Sequence, residues 1–99
     1  MAYVTVQFVR EITGLTATDA DDSKISDLIT VAEAIVDYET DKTWSESDQN
    51  YKLVQLATAK LVGWLAYRSL AGAEQKADKF KQEAYEILNK LRGSAFLRG

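Results

Sequence analysis

Three observations predict an all-α fold. The 99 residues contain no Pro, the apolar residues recur at i, i+3, i+4 and i+7, and capping residues punctuate those runs. The expected architecture is a bundle of three main helices, at about 22–40, 46–71 and 74–92, with a short N-terminal helix at about 6–13. A chain of 11.1 kDa has room for one core. Residues 1–93 therefore read as a single domain, followed by an extended C-terminal arm at 94–99.

The first helix is justified by Thr5 as its cap, by Phe8, Val9 and Ile12 on one face, and by Gly14 as a left-handed stop. A strand over Tyr3 to Val9 is the competing reading, because Val4, Val6 and Phe8 alternate. So short a helix must dock on something larger. Residues 15–24 then form an acidic linker, with Asp19, Asp21 and Asp22 placed to complement the next helix dipole.

The second helix carries Ile25, Leu28, Ile29, Ala32, Ile35 and Val36 as one stripe, and it ends around Tyr38 to Asp41. Ser45-Glu46-Ser47-Asp48 reads as the next start, with Ser45 or Ser47 as the cap. The helix it opens is apolar nearly all round, from Leu53 to Leu70, so part of its surface is expected to face another subunit. Gly72 closes it into a tight hairpin. The fourth helix buries Ala77, Phe80, Ala84, Ile87, Leu88 and Leu91, and Gly93 is expected to stop it.

Chemistry is narrowed by what is missing. Without His or Cys there is no Ser-His-Asp or Cys-His triad, no thiol redox and no Cys/His zinc site. The alternating Asp19, Asp21 and Asp22 suggest calcium, yet Ser23 and Thr30 stand where an EF-hand loop needs Gly and Glu. Glu46, Asp48, Glu83 and Glu86 fall on polar helix faces or in helix-opening turns, where nothing raises a carboxyl pKa. The five Gly are isolated, so no phosphate loop is present. The expectation is no enzyme, no catalytic residue, no metal and no cofactor.

A net charge of −3 and a pI near 4.9 disfavour a general nucleic-acid binder. Lys76, Lys79, Lys81, Lys90 and Arg92 are interleaved with Asp78, Glu83 and Glu86 and read as a solvated face. Gln7 and Arg10 on the first helix offer little for reading DNA. Residues 1–9 lack the basic region and cleavage site of a signal peptide. Leu53 to Ala71 is interrupted by Gln55, Lys60 and Arg68, so no membrane span and a soluble chain are expected.

The remaining candidates are contacts. Trp44 lies in an inter-helix turn, Trp64 and Tyr67 on the already apolar third helix, and Phe96, Leu97 and Arg98 on the arm. Core packing accounts for at least one of Trp64 and Tyr67, and a loop staple is the alternative for Trp44. An apolar dipeptide in a short tail gains only by packing, on its own bundle or on a neighbour, and of the two the neighbouring subunit is favoured for the arm.

In order along the chain stand Thr5 to Gly14, the Asp21-Asp22 lead-in, the helix Ile25 to Val36 running into Thr40-Asp41-Lys42-Thr43-Trp44, and Leu56-Ala57-Thr58-Ala59-Lys60-Leu61-Val62-Gly63-Trp64-Leu65-Ala66-Tyr67-Arg68. This succession resembles the small helical head-completion or head-to-tail connector (adaptor) proteins of tailed phages and related proviruses. One departure is Thr40-Asp41-Lys42, where family members often carry Thr-Gly-Arg; Asp tolerates a left-handed backbone, so the turn survives.

The resemblance implies a virion neck protein without enzymatic activity. It would assemble in the host cytoplasm as a ring under the portal, expected to be a dodecamer, and join the DNA-filled head to a tail or stopper protein; the small core also allows a subunit that is a monomer until a portal orders it. DNA would pass through the ring without sequence-specific binding. The alternative from another class is a small regulatory or inhibitory protein docking on a host enzyme.

Overall fold

The computed structural model describes residues 2–98, with the backbone alone for residues 94–98. It contains α1 (Val6–Thr13), α2 (Asp22–Thr40), α3 (Tyr51–Tyr67) and α4 (Glu74–Arg98), and no strand among the described residues. All three other helices pack on α3, which makes it the axis of the bundle.

Local chemistry sets the first two helices. The Thr5 hydroxyl accepts from the Phe8 amide at 3.0 Å, and Gly14 ends α1 at φ 76°. Helix therefore wins over strand from Val6 onward. Before it, Tyr3 and Val4 are buried in the core, so the residues that look strand-like serve as an anchoring lead-in. Asp21 caps α2 by accepting from the Lys24 amide at 2.8 Å. At the other end Asp41 takes the left-handed conformation, φ 53°, that the turn requires.

The third helix is shorter at both ends than the sequence predicts. Asp48 reaches back to accept from the Ser45 amide at 2.7 Å, and its other carboxylate oxygen takes the Lys42 ammonium at 3.0 Å. These bonds close a turn where a cap is predicted, so Asn50 becomes the N-cap, without a side-chain capping bond. At the far end the backbone tightens to i→i−3 bonds, Ser69 to Ala66 and Leu70 to Tyr67, which ends α3 at Tyr67.

The fourth helix is longer than predicted, since α4 passes through Gly93 to Arg98 in place of an extended arm. Nothing lies within 4 Å of a Cβ built on Gly93, and its φ is not positive, so that residue only weakens a helix it does not end.

Much of the apolar surface of α3 is covered by the chain itself, while Leu53, Leu56 and Trp64 stay half-buried. Val54, Ala57, Thr58, Ala59, Leu61, Val62, Gly63, Leu65, Ala66 and Tyr67 are all buried within the chain's own bundle. Gly63 shows how closely it is wrapped: a Cβ there would stand 2.9 Å from Thr13 Cγ2 and 3.1 Å from the Phe80 ring. A residue without a side chain lets Thr13 of α1 and Phe80 of α4 both pack closely on α3.

Candidate interaction surfaces

Among the described residues no group of three or more His, Cys, Asp or Glu can hold a metal ion, and no helix is long and apolar enough to cross a membrane. Every buried side-chain polar atom described has a hydrogen-bond partner. The shifted carboxyl titrations follow structural bonds. Lys60 donates to Glu83 at 2.7 Å and holds its carboxyl below the usual range, while the Ser45 amide, and then Lys42, do the same for Asp48. Asp19 is held low first by the Thr16 amide, in a reciprocal turn of 3.0 and 3.2 Å.

The acidic linker is thus committed locally. Asp19 closes the Thr16 turn, Asp21 caps α2, and Asp22 pairs with Arg10 at 2.7 Å. Arg10 also donates to the carbonyls of Leu15 and Ala20, so it ties α1 to the linker.

The contact residues named from the sequence fall into three situations. Trp44 is 6% exposed, and its indole N–H donates to the Thr40 hydroxyl at 3.0 Å. Its backbone amide donates to the Tyr3 hydroxyl, also at 3.0 Å. The residue staples its own loop. Tyr67 is likewise internal: its hydroxyl donates to the Thr13 carbonyl at 2.8 Å, and its ring stacks on Phe80. Trp64 remains half-buried at the surface, with Arg68 and Lys81 each 5.0 Å from its ring, which covers the indole with charge. The side chains of Phe96, Leu97 and Arg98 lie outside the described residues.

Tyr3, which composition does not single out, organises one end of the molecule. Its amide donates to Glu33, its hydroxyl donates to Asp37 at 2.5 Å, and its carbonyl accepts from Gln55 at 3.0 Å. Burial, then the bond to Asp37, pushes its phenol up to about 12. No local signal announces this network, because its partners lie 30 or more residues away.

An unpartnered apolar surface lies on α2. Ile25, Ile29, Ala32, Val36 and Thr40 fill the inner face. On the outside Asp27, Val31, Ala34, Tyr38 and Asp41 form one exposed line at alternating spacings of four and three, bordered by half-buried Leu28 and Ile35. Val31 is 47% exposed and Tyr38 84%, the two large apolar residues most open to solvent among those described. The line runs about 21 Å at a rise of about 1.5 Å per residue.

A second surface, sharing no residue with the first, is a groove of about 510 Å³ lined by Ile12, Thr13, Lys60, Gln75, Lys76, Lys79, Phe80 and Glu83. Lys60 is paired with Glu83, and Lys76 lies 4.8 Å from the Tyr67 ring. Neither Lys76 nor Lys79 is in an ion pair among the described residues.

Charge separates these two regions. From Asp21 to Asp41 the sequence holds seven Asp and Glu against Lys24 alone, whereas the remainder holds eleven Lys and Arg against eight Asp and Glu. The negative balance of the whole chain resides on α2 and its caps.

Comparison with protein-family models, with curated proteins and with solved structures finds no match to this chain.

Proposed function

We propose that the chain is a structural assembly subunit without enzymatic activity, acting as a head-to-tail connector that forms a ring under a portal. The observation that carries the assembly reading is the exposed line Val31-Ala34-Tyr38 on α2. Ile25, Ile29 and Val36 already give this helix its inward face, so the outer apolar residues lie outside the core of a single chain. Their exposed surface gains free energy when another molecule covers it.

The resemblance supplies the finer part of the reading, with the portal on one side, a tail or stopper protein on the other, and the virion neck as the place. A ring needs heterologous contacts, in which each subunit offers two different surfaces. The α2 line and the lysine groove are two such surfaces, one acidic and one basic. Acidic density in a ring also suits a channel through which DNA passes without adhering.

The test mixes the purified chain with tail-less, portal-bearing capsids and examines the portal vertex by negative-stain microscopy. The expected result is an added ring with a central hole. Unchanged vertices at saturating protein would overturn the connector reading.

A further inference from the structure

We infer that the outer face of α2 docks into the Ile12/Lys76/Lys79/Phe80 groove of a second copy of this chain, giving head-to-tail self-association. The inference deepens the assembly reading and rests on it. It names the surfaces that meet.

Charge complementarity selects the occupant. The α2 line pairs an apolar centre, Val31, Ala34 and Tyr38, with a carboxylate at each end, Asp27 and Asp41. The groove presents the matching chemistry, with Ile12 and Phe80 as apolar walls and two ammonium groups, Lys76 and Lys79, that take part in no ion pair among the described residues. A Tyr ring entering this groove meets an apolar wall and cations together, the combination that favours an aromatic guest. Two copies of α2 facing each other would instead bring like charges together, since Lys24 is the lone cation from Asp21 to Asp41. A heterologous pairing brings the acidic α2 line against a groove in which lysines outnumber carboxylates, and it leaves each end of a growing assembly open for the next copy.

Two charge-reversed proteins test the pairing. One carries Asp27→Lys with Ala34→Lys on α2; the other carries Lys76→Glu with Lys79→Glu in the groove. All four positions are exposed on helices, and Asp41 is left alone because its backbone is left-handed. Circular dichroism checks that both variants fold. Sedimentation velocity at low salt then reads the assembly. The wild-type chain is expected to associate with rising concentration and to dissociate at high salt, and each variant alone to associate at least about tenfold more weakly.

The equimolar mixture is expected to recover assembly. Reversed α2 fits the reversed groove, and the native α2 of one variant fits the native groove of the other. Two results would overturn the inference: a mixture no better than its components, or a groove variant that associates like wild type, which would indicate α2 pairing with α2.

The chain has no Cys, so a second readout is clean. Val31→Cys and Lys79→Cys proteins are expected to form a disulfide-linked heterodimer under mild oxidation when mixed. A Val31→Cys homodimer alone would contradict the pairing, as would a wild-type chain that stays monomeric throughout with no cross-link in the mixture. The capsid experiment remains independent: wild-type attachment with failed swaps removes this pairing and leaves the connector reading, and recovered swaps without attachment do the reverse.

Discussion

The two middle helices are of similar length and are used in opposite ways. Helix α3 is the more apolar, yet Val54, Leu61, Val62 and Leu65 are all covered by the chain's own helices. Helix α2 is more polar on average and leaves Val31 and Tyr38 open. The difference teaches that overall apolarity measures how many neighbours a helix has within its own fold. A binding surface is marked by apolar residues beyond those the inward stripe needs.

Substitution should separate the two helices sharply, with the largest effect in α3. Leu61 is fully buried, so Leu61→Ala is expected to cost about 2–5 kcal/mol in urea unfolding through lost contacts and a residual cavity. Gly63→Ala should follow at about 1–3 kcal/mol, because the added methyl must displace Thr13 or Phe80. A stability unchanged by both would mean that α3 is less tightly wrapped than described.

The Tyr3 network joins α2 to α3 and should rank next. Tyr3→Phe removes the bond to Asp37 and leaves the Trp44 amide without its acceptor, an expected loss of about 1–3 kcal/mol. The phenol pKa is raised from 10.0 to about 12 in the fold, so the protonated form is the one the native state favours. Its contribution is full below pH 10 and is lost as pH rises through about 12. Burial raises Tyr51, Tyr67 and Tyr85 in the same direction. Unfolding midpoints recorded across that range should fall for the wild type and fall less for Tyr3→Phe.

The smallest effect on stability is expected on the outer face of α2. Val31→Ser with Tyr38→Ser should shift unfolding by no more than about 0.5 kcal/mol per site, since neither side chain fills the core. A large loss at these positions would break the contrast between the helices.

How much of this was legible in the sequence depended on the range of the interaction. Thr5, Gly14, Asp21 and Asp41 act within a few residues of themselves, and their types disclose the ends of α1 and α2 directly. Ser45 to Asp48 misleads because the same residues that cap a helix also close an isolated turn, and the distinction lies in which amide the carboxylate reaches. Gly93 misleads because a glycine marks a helix end only where the backbone turns left-handed.

Trp44 and Tyr67 look like spare aromatic surface until partners at Thr40, Tyr3 and Thr13 are in place. The outer line on α2 was present in the spacing of Val31, Ala34 and Tyr38. It was masked because Ile25, Ile29 and Val36 already satisfied the expectation of a single stripe.

In the proposed role, assembly uses the outer face of α2 while the apolarity of α3 largely serves the chain's own fold. The most direct measurement compares attachment to portal-bearing capsids by wild type and by Val31→Ser/Tyr38→Ser protein with matching urea midpoints. The account predicts that attachment is lost while the fold is retained. Undiminished attachment by the double variant would contradict it.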